Sequence, residues 1–134
     1  MTRIKHKLTG AVMCEGRSLE EVIALHAKYL SGEEGGKCAN LSYADLTGCD
    51  MRGADMTDAI LIRANMTGAV LVRANMVDAD MVGATLICAN MAGALLIGAD
   101  MRGANMTDAI LIGADMDGAN MDGANMTGAI LTHA

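Results

Sequence analysis

The chain has 134 residues and a formal net charge of −6, with 16 Gly, 13 Met, 2 Tyr and no Phe, Trp or Pro. Roughly two-thirds of the unfolded surface can be buried at this length, yet an interior built without Phe implies a strict rule choosing its residues. The missing aromatics argue against base-stacking platforms, the acidic balance against direct nucleic-acid binding, and the lack of a run of about 18 apolar residues against a membrane span.

At the N-terminus, Arg3, Lys5 and Lys7 lead into no apolar stretch with a cleavage site, so the cytoplasm is the expected compartment. Ile4-Lys5-His6-Lys7-Leu8 and Ala11-Val12-Met13-Cys14 flank Thr9-Gly10 and alternate, which predicts a β-hairpin over 3–14. Ser18 followed by Glu21 is a capping-box pair, and Leu19, Val22, Ile23, His26, Ala27 and Leu30 share one face of the helix predicted over about 18–31. Gly32 ends it and Gly35-Gly36 form a joint. Cys14, Cys38, Cys49 and Cys88 have neither zinc-site nor CxxC spacing, and His26 reads as a packed helix residue, so no metal or cofactor site is expected.

From Ala39 the sequence falls into fives, as in Ala44-Asp45-Leu46-Thr47-Gly48 and Ala124-Asn125-Met126-Thr127-Gly128, and nineteen such units fill residues 39 to 133. With i the central residue, i is Met in eleven units and Leu in eight, i−2 is Ala in all but one (Cys49), i−1 is Asn or Asp in thirteen, and i+2 is Gly in eleven. A period of five suits neither helix nor strand, so the chain must turn once per unit with i−2 and i facing inward. Asn and Asp at i−1 are placed to bond backbone groups that a turn leaves unpaired. Met columns inside such a tube read as apolar filling rather than as a soft-metal site.

These units resemble the pentapeptide-repeat family. The resemblance implies an all-β solenoid, a right-handed quadrilateral parallel β-helix with four units per coil. About 4.75 coils would make a rod ~23 Å long at a ~4.8 Å spacing, covered at its start by residues 1–38 as a hairpin-plus-helix cap similar to those of bacterial and phage members. The repeat runs to Thr132-His133-Ala134 without a matching cover, so an end-to-end homodimer through Ile130 and Leu131 is expected.

A 20-residue coil stacks the outward residues into four sides. One carries Asp55, Asp58, Asp78, Asp115 and Asp117 with no Lys or Arg; a second carries Val70, Val72, Ile110, Ile112 and Ile130; a third lines up Thr47, Thr67, Thr107 and Thr127. Apolar pairs around a central Leu, including Leu95 and Ile97, also suit strand positions whether or not they are covered. Met51–Met66 and Met101–Met116 are near copies, differing only at Asp55/Asn105, Arg63/Gly113 and Asn65/Asp115. Their offset of two and a half coils places the copy on the opposite side. No nucleophile–base pair is apparent. The expected function is therefore a non-enzymatic structural or protein-interaction module with an unidentified protein partner. The alternative implied by the resemblance is a DNA mimic that inhibits or protects DNA gyrase or topoisomerase IV, for which the eleven Asp against four Arg of residues 39–134 speak and the absent central Phe does not.

Overall fold

The computed structural model describes residues 17–134; the hairpin expected over 3–14 lies outside them. Helix α1, Leu19–Ser31, is the first described element. Ser18 is its N-cap, its hydroxyl accepting the Glu21 N–H at 3.1 Å. Gly32, at φ 76°, ends it with its own N–H on the Tyr29 carbonyl and the Glu33 N–H on Lys28. Leu19, Val22 and His26 are buried and Ile23 packs on the core, whereas Ala27, expected on the same face, is exposed. The chain then folds back on the helix through Lys37 N–H to Leu25 C=O. It passes so close that a Cβ on Gly36 would strike the Tyr29 backbone nitrogen, which is why this joint needs glycine.

Residues 39–133 wind into a parallel β-helix. Fifteen parallel bridges join i−1 residues 20 apart, from Asn40 with Ile60 to Ile110 with Ile130, so each coil holds four units and four sides. In order around the coil, the sides are centred on Leu41, Leu46, Met51 and Met56. Each side contributes one bridged residue rather than a long strand, because the chain turns again three residues later. In the unit centred on Leu61, Ile60 N–H donates back to Ala39 C=O at 2.9 Å, Leu61 N–H forward to Asp80 C=O at 2.7 Å and Arg63 N–H to Val82 C=O at 2.9 Å. Ala64 N–H closes the turn on Leu61 C=O at 3.1 Å. The bond from the fourth residue to the first, with positive φ at the third, is the signature of a type II turn.

That positive φ falls at i+2 in all nineteen units, on glycine or on Tyr43, Asp58, Arg63, Arg73, Asp78, Cys88, Asp108 and His133. Glycine dominates there because left-handed backbone costs it nothing. Inside, Ala at i−2 and Leu or Met at i are buried from Leu41 to Leu111 in one continuous column, apart from the partly buried Cys49 and Ala54. Small Ala lets adjacent walls approach, and the long side chain of the opposite position fills the axis. Cys49 fits the Ala position with one extra atom, and burial, then the nearby carboxylates of Asp45 and Glu20, push its thiol up.

The helix meets the first coil through His26. Its Nδ1 accepts the Ala39 N–H at 2.9 Å, which fixes the proton on Nε2, and Nε2 donates to the Thr57 carbonyl at 2.7 Å. Within the rod, the N–H at i−2 goes to the preceding unit and the C=O at i+1 receives an N–H from the preceding coil. Ala39 and Thr57 have no such repeat neighbours, and the imidazole supplies both the acceptor and the donor.

Candidate functional site

The outward columns divide into residues that serve the turn and residues that do not. At all thirteen Asn and Asp i−1 positions the side-chain Oδ1 accepts the N–H two residues on, at 3.0 to 3.3 Å. Where Thr occupies i+1 beside such a residue, its hydroxyl donates to the same oxygen at 2.6 to 2.7 Å. The aligned Thr47, Thr67, Thr107 and Thr127 thus have their hydroxyls turned into their own units. Arg52 and Arg102 make the corresponding contact as ion pairs with Asp50 and Asp100, each 2.7 Å at the closest. Those hydrogen bonds hold both carboxyls below the usual carboxylate range.

On the fourth side the five aspartates fall into these two kinds. Asp55 and Asp115 bind their own turns, as Asn does at 75, while Asp58 and Asp78 at i+2 and Asp117 at i+1 extend outward. Among the described residues none of the five is within an ion pair. The five do not form one uninterrupted stack: the i−1 column runs Asp55, Asn75, Leu95, Asp115. Leu95 and Ile97, 38% and 37% exposed, stand between the two acidic groups. Their unit was visible in the sequence, but an outward apolar pair reads there as strand filling, and only accessibility separates it from the half-buried Ile60 with Ile62 or Val70 with Val72.

The apolar third side is likewise broken. Asn90 lies between Val70 and Ile110 in the bridged column, and Val70, Val72 and Ile110 are half-buried, whereas Ile112 and Ile130 are exposed. In the last coil Met116, Met121 and Met126 are half-buried and Leu131 is 43% exposed, unlike the buried Leu71 and Leu111 of the same column.

A cleft of about 130 Å³ between α1 and the first coil is lined by Val22, Leu25, Lys37 and Cys38 among others, below the ~300 Å³ at which ligand pockets begin. Cys38 Sγ lies 3.5 Å from the Asp58 carbonyl, and burial followed by the Asp58 charge pushes its thiol up, opposite to what a reactive cysteine needs. Among the described residues no cluster of three His, Cys, Asp or Glu is placed to hold a metal, and no helix is long and apolar enough to cross a membrane.

The family model for pentapeptide repeats matches in eight copies, as overlapping stretches from residue 37 to residue 134. A pentapeptide repeat protein of the Arabidopsis thaliana thylakoid lumen is similar at 38% identity and a TM-score of 0.66, over 68% of this chain and 63% of that one. A pentapeptide repeat protein of the cyanobacterium Cyanothece, Rfr23, is 32% identical over 60% of this chain and 58% of that one, with a TM-score of 0.49. QnrB1, a plasmid-mediated fluoroquinolone resistance protein, shares the fold at 20% identity and a TM-score of 0.50, over 65% of this chain and 58% of that one. The chain thus spans about three-fifths of the length of these structures. No curated protein matches it.

Proposed function

Because the chain belongs to the pentapeptide-repeat family, we propose that it is a non-enzymatic protein-interaction module that meets its partner through a side of the rod. The observation that carries this reading is the contrast between a filled interior and apolar side chains exposed on two sides of the rod, Ile112 and Ile130 on the third and Leu95 and Ile97 on the fourth. Apolar side chains in such numbers on an otherwise polar rod suit a covered face. Cross-linking in a lysate of the source organism, followed by mass spectrometry, tests it. One partner should be cross-linked by the wild type and lost with Ile110→Asp/Ile112→Asp; equal capture by both overturns the role of that side, and capture of nothing overturns the module.

A second reading is favoured by Asp58, Asp78 and Asp117, carboxylates that no turn uses on a side without Lys or Arg: a mimic of the DNA backbone that acts on DNA gyrase or topoisomerase IV. The likeness to the quinolone-resistance protein is one of fold and does not add to it. A supercoiling assay with purified gyrase separates the two, and no effect at micromolar protein removes the mimic.

On the same reading residues 1–38, with the hairpin expected over 3–14, are a cap on the rod of residues 39–134, supported by the seat of α1 and His26 on the first coil. On this reading the rod is right-handed, as the family resemblance implies, and its compartment is the cytoplasm. A homodimer through the exposed Ile130 and Leu131 belongs to the same reading, and a monomeric mass in light scattering would exclude it.

A further inference from the structure

We propose that the fourth side, at Leu95 and Ile97, is the docking surface for a basic amphipathic α-helix of a partner protein. This rests on the interaction-module reading and names the chemistry of what that module binds. Leu95 and Ile97 lie inside the rod's length, with complete coils before and after them in the bridged column, so their exposure is not an end effect. Asp115 follows Leu95 in that column, and Asp117 follows Ile97, its carbonyl taking the Gly98 N–H next to Ile97. On the other flank the Asp78 carboxylate leans over Gly98, where it would be the first atom met by any added Cβ. An apolar centre is thereby framed by three carboxylates, and among the described residues no cation pairs with them.

The form of the partner follows from the backbone. Leu95, Leu96 and Gly98 N–H groups are all bonded to neighbouring coils, and the Leu95 and Ile97 carbonyls receive Met76 and Asp78 N–H. The Ile97 N–H alone has no backbone partner here, and a partner cannot add a strand to one free N–H, because strand addition needs a row of unpaired edge groups; it must be read by side chains. Residues two apart in extended chain are about 6.6 Å apart, close to the ~6 Å rise between helix residues i and i+4. One helix laid across the side can set Leu or Ile at i and i+4 on this pair and Lys or Arg beside them on the carboxylates. A second copy of this chain is the wrong occupant, since it would bring the same carboxylates to the contact.

The probe is a synthetic amidated peptide of about 15 residues with leucines on one helix face and lysines on the other, titrated by calorimetry. A peptide of the same composition, with leucines and lysines scattered around the helix, is the control. The wild type is expected to bind the amphipathic peptide at micromolar Kd and the scattered one at least tenfold more weakly. Leu95→Ser/Ile97→Ser and Asp115→Asn/Asp117→Asn should each weaken binding at least tenfold. The second pair keeps the oxygen that Asp115 gives its turn and so guards against misfolding as the cause, and thermal melts confirm that each variant folds. Equal binding of the two peptides, unchanged affinity in both double variants, or no heat at about 100 µM peptide overturns the proposal. If a natural partner is lost with Ile110→Asp/Ile112→Asp and kept with the Leu95 and Ile97 pair, this site fails while the interaction module stands.

Discussion

Residue i+2 carries the backbone strain of this molecule. Its φ lies between 54° and 71° in every unit, on eleven glycines and eight other residues. A side chain there costs about 1–2 kcal/mol, partly offset by a less flexible unfolded chain. Gly103 isolates the effect, since nothing lies within 4 Å of where its Cβ would be. Gly103→Ala should therefore destabilise by about 1 kcal/mol in urea denaturation and Gly103→Asn by less than half of that, Asn tolerating the left-handed region; a neutral alanine would mean the strain is absorbed by the turn. Charge at the residue scale is local as well. The Arg102 hydrogen bond holds the Asp100 carboxyl below the ordinary carboxylate range. A lowered folded value stabilises above the unfolded pKa of about 3.9 and is lost as pH falls through the folded one. In Arg102→Gln the Asp100 carboxyl should titrate higher by carbon NMR, with little change in stability at neutral pH because the pair is exposed. These roles were legible at i−1, where Asn and Asp alternate freely and so must share one task. They were not legible at i+1, where a threonine column looked like a surface feature and the hydroxyls bond inward along their own units.

At the scale of elements, the helix depends on the rod through one imidazole. His26 is fully buried and stacked on Tyr29, with ring centroids 5.7 Å apart, and it occupies both the Ala39 N–H and the Thr57 C=O. Removing it strands two backbone groups, each worth about 1–3 kcal/mol when left unpaired. His26→Ala is expected to cost about 2–4 kcal/mol on this basis and to be read as loss of helical signal at 222 nm before the rod melts. His26→Gln, which keeps one acceptor and one donor, should recover part of it; a single coincident transition in both variants would show that α1 and the rod unfold together without this joint. The sequence marked α1 well, because Ser18, Glu21 and Gly32 are local signals acting within a few residues. It assigned His26 to packing, since its partners lie 13 and 31 residues away and only the coil's closure brings them to one ring. Distance along the chain is thus what separates the legible contacts from the hidden one.

For the whole molecule, the repeat fixed the fold because the interior asks the same question of every unit: Ala at i−2, Leu or Met at i. Leu and Met are mixed within each inner column, as in Leu41, Leu61, Met81 and Met101, so no side of the rod has a core of its own. The outer columns have no such redundancy, and a surface assembled from residues 20 apart is legible only when the coil length is known. This separation predicts the outcome of two deletions. Removing residues 84–103 takes out one coil and rejoins Gly83 to Ala104, keeping every column on its side. Removing residues 84–88 takes out one unit and rejoins Gly83 to Ala89, which turns all later columns by one side, a quarter of the coil, while leaving an Ala and a Leu or Met in every inward place. Both proteins should fold, with the same circular dichroism per residue, because solenoid stability is a sum over neighbouring repeats. Both should lose a partner that docks at Leu95 and Ile97: the twenty-residue deletion removes the pair, and the five-residue deletion sets Leu95 above Val70 instead of Asn75 and Gly98 above Arg73 instead of Asp78. Unfolding of the five-residue deletion alone would mean that the four sides are not interchangeable inside, and that the near copies at Met51–Met66 and Met101–Met116, two and a half coils apart, depend on their sides for stability.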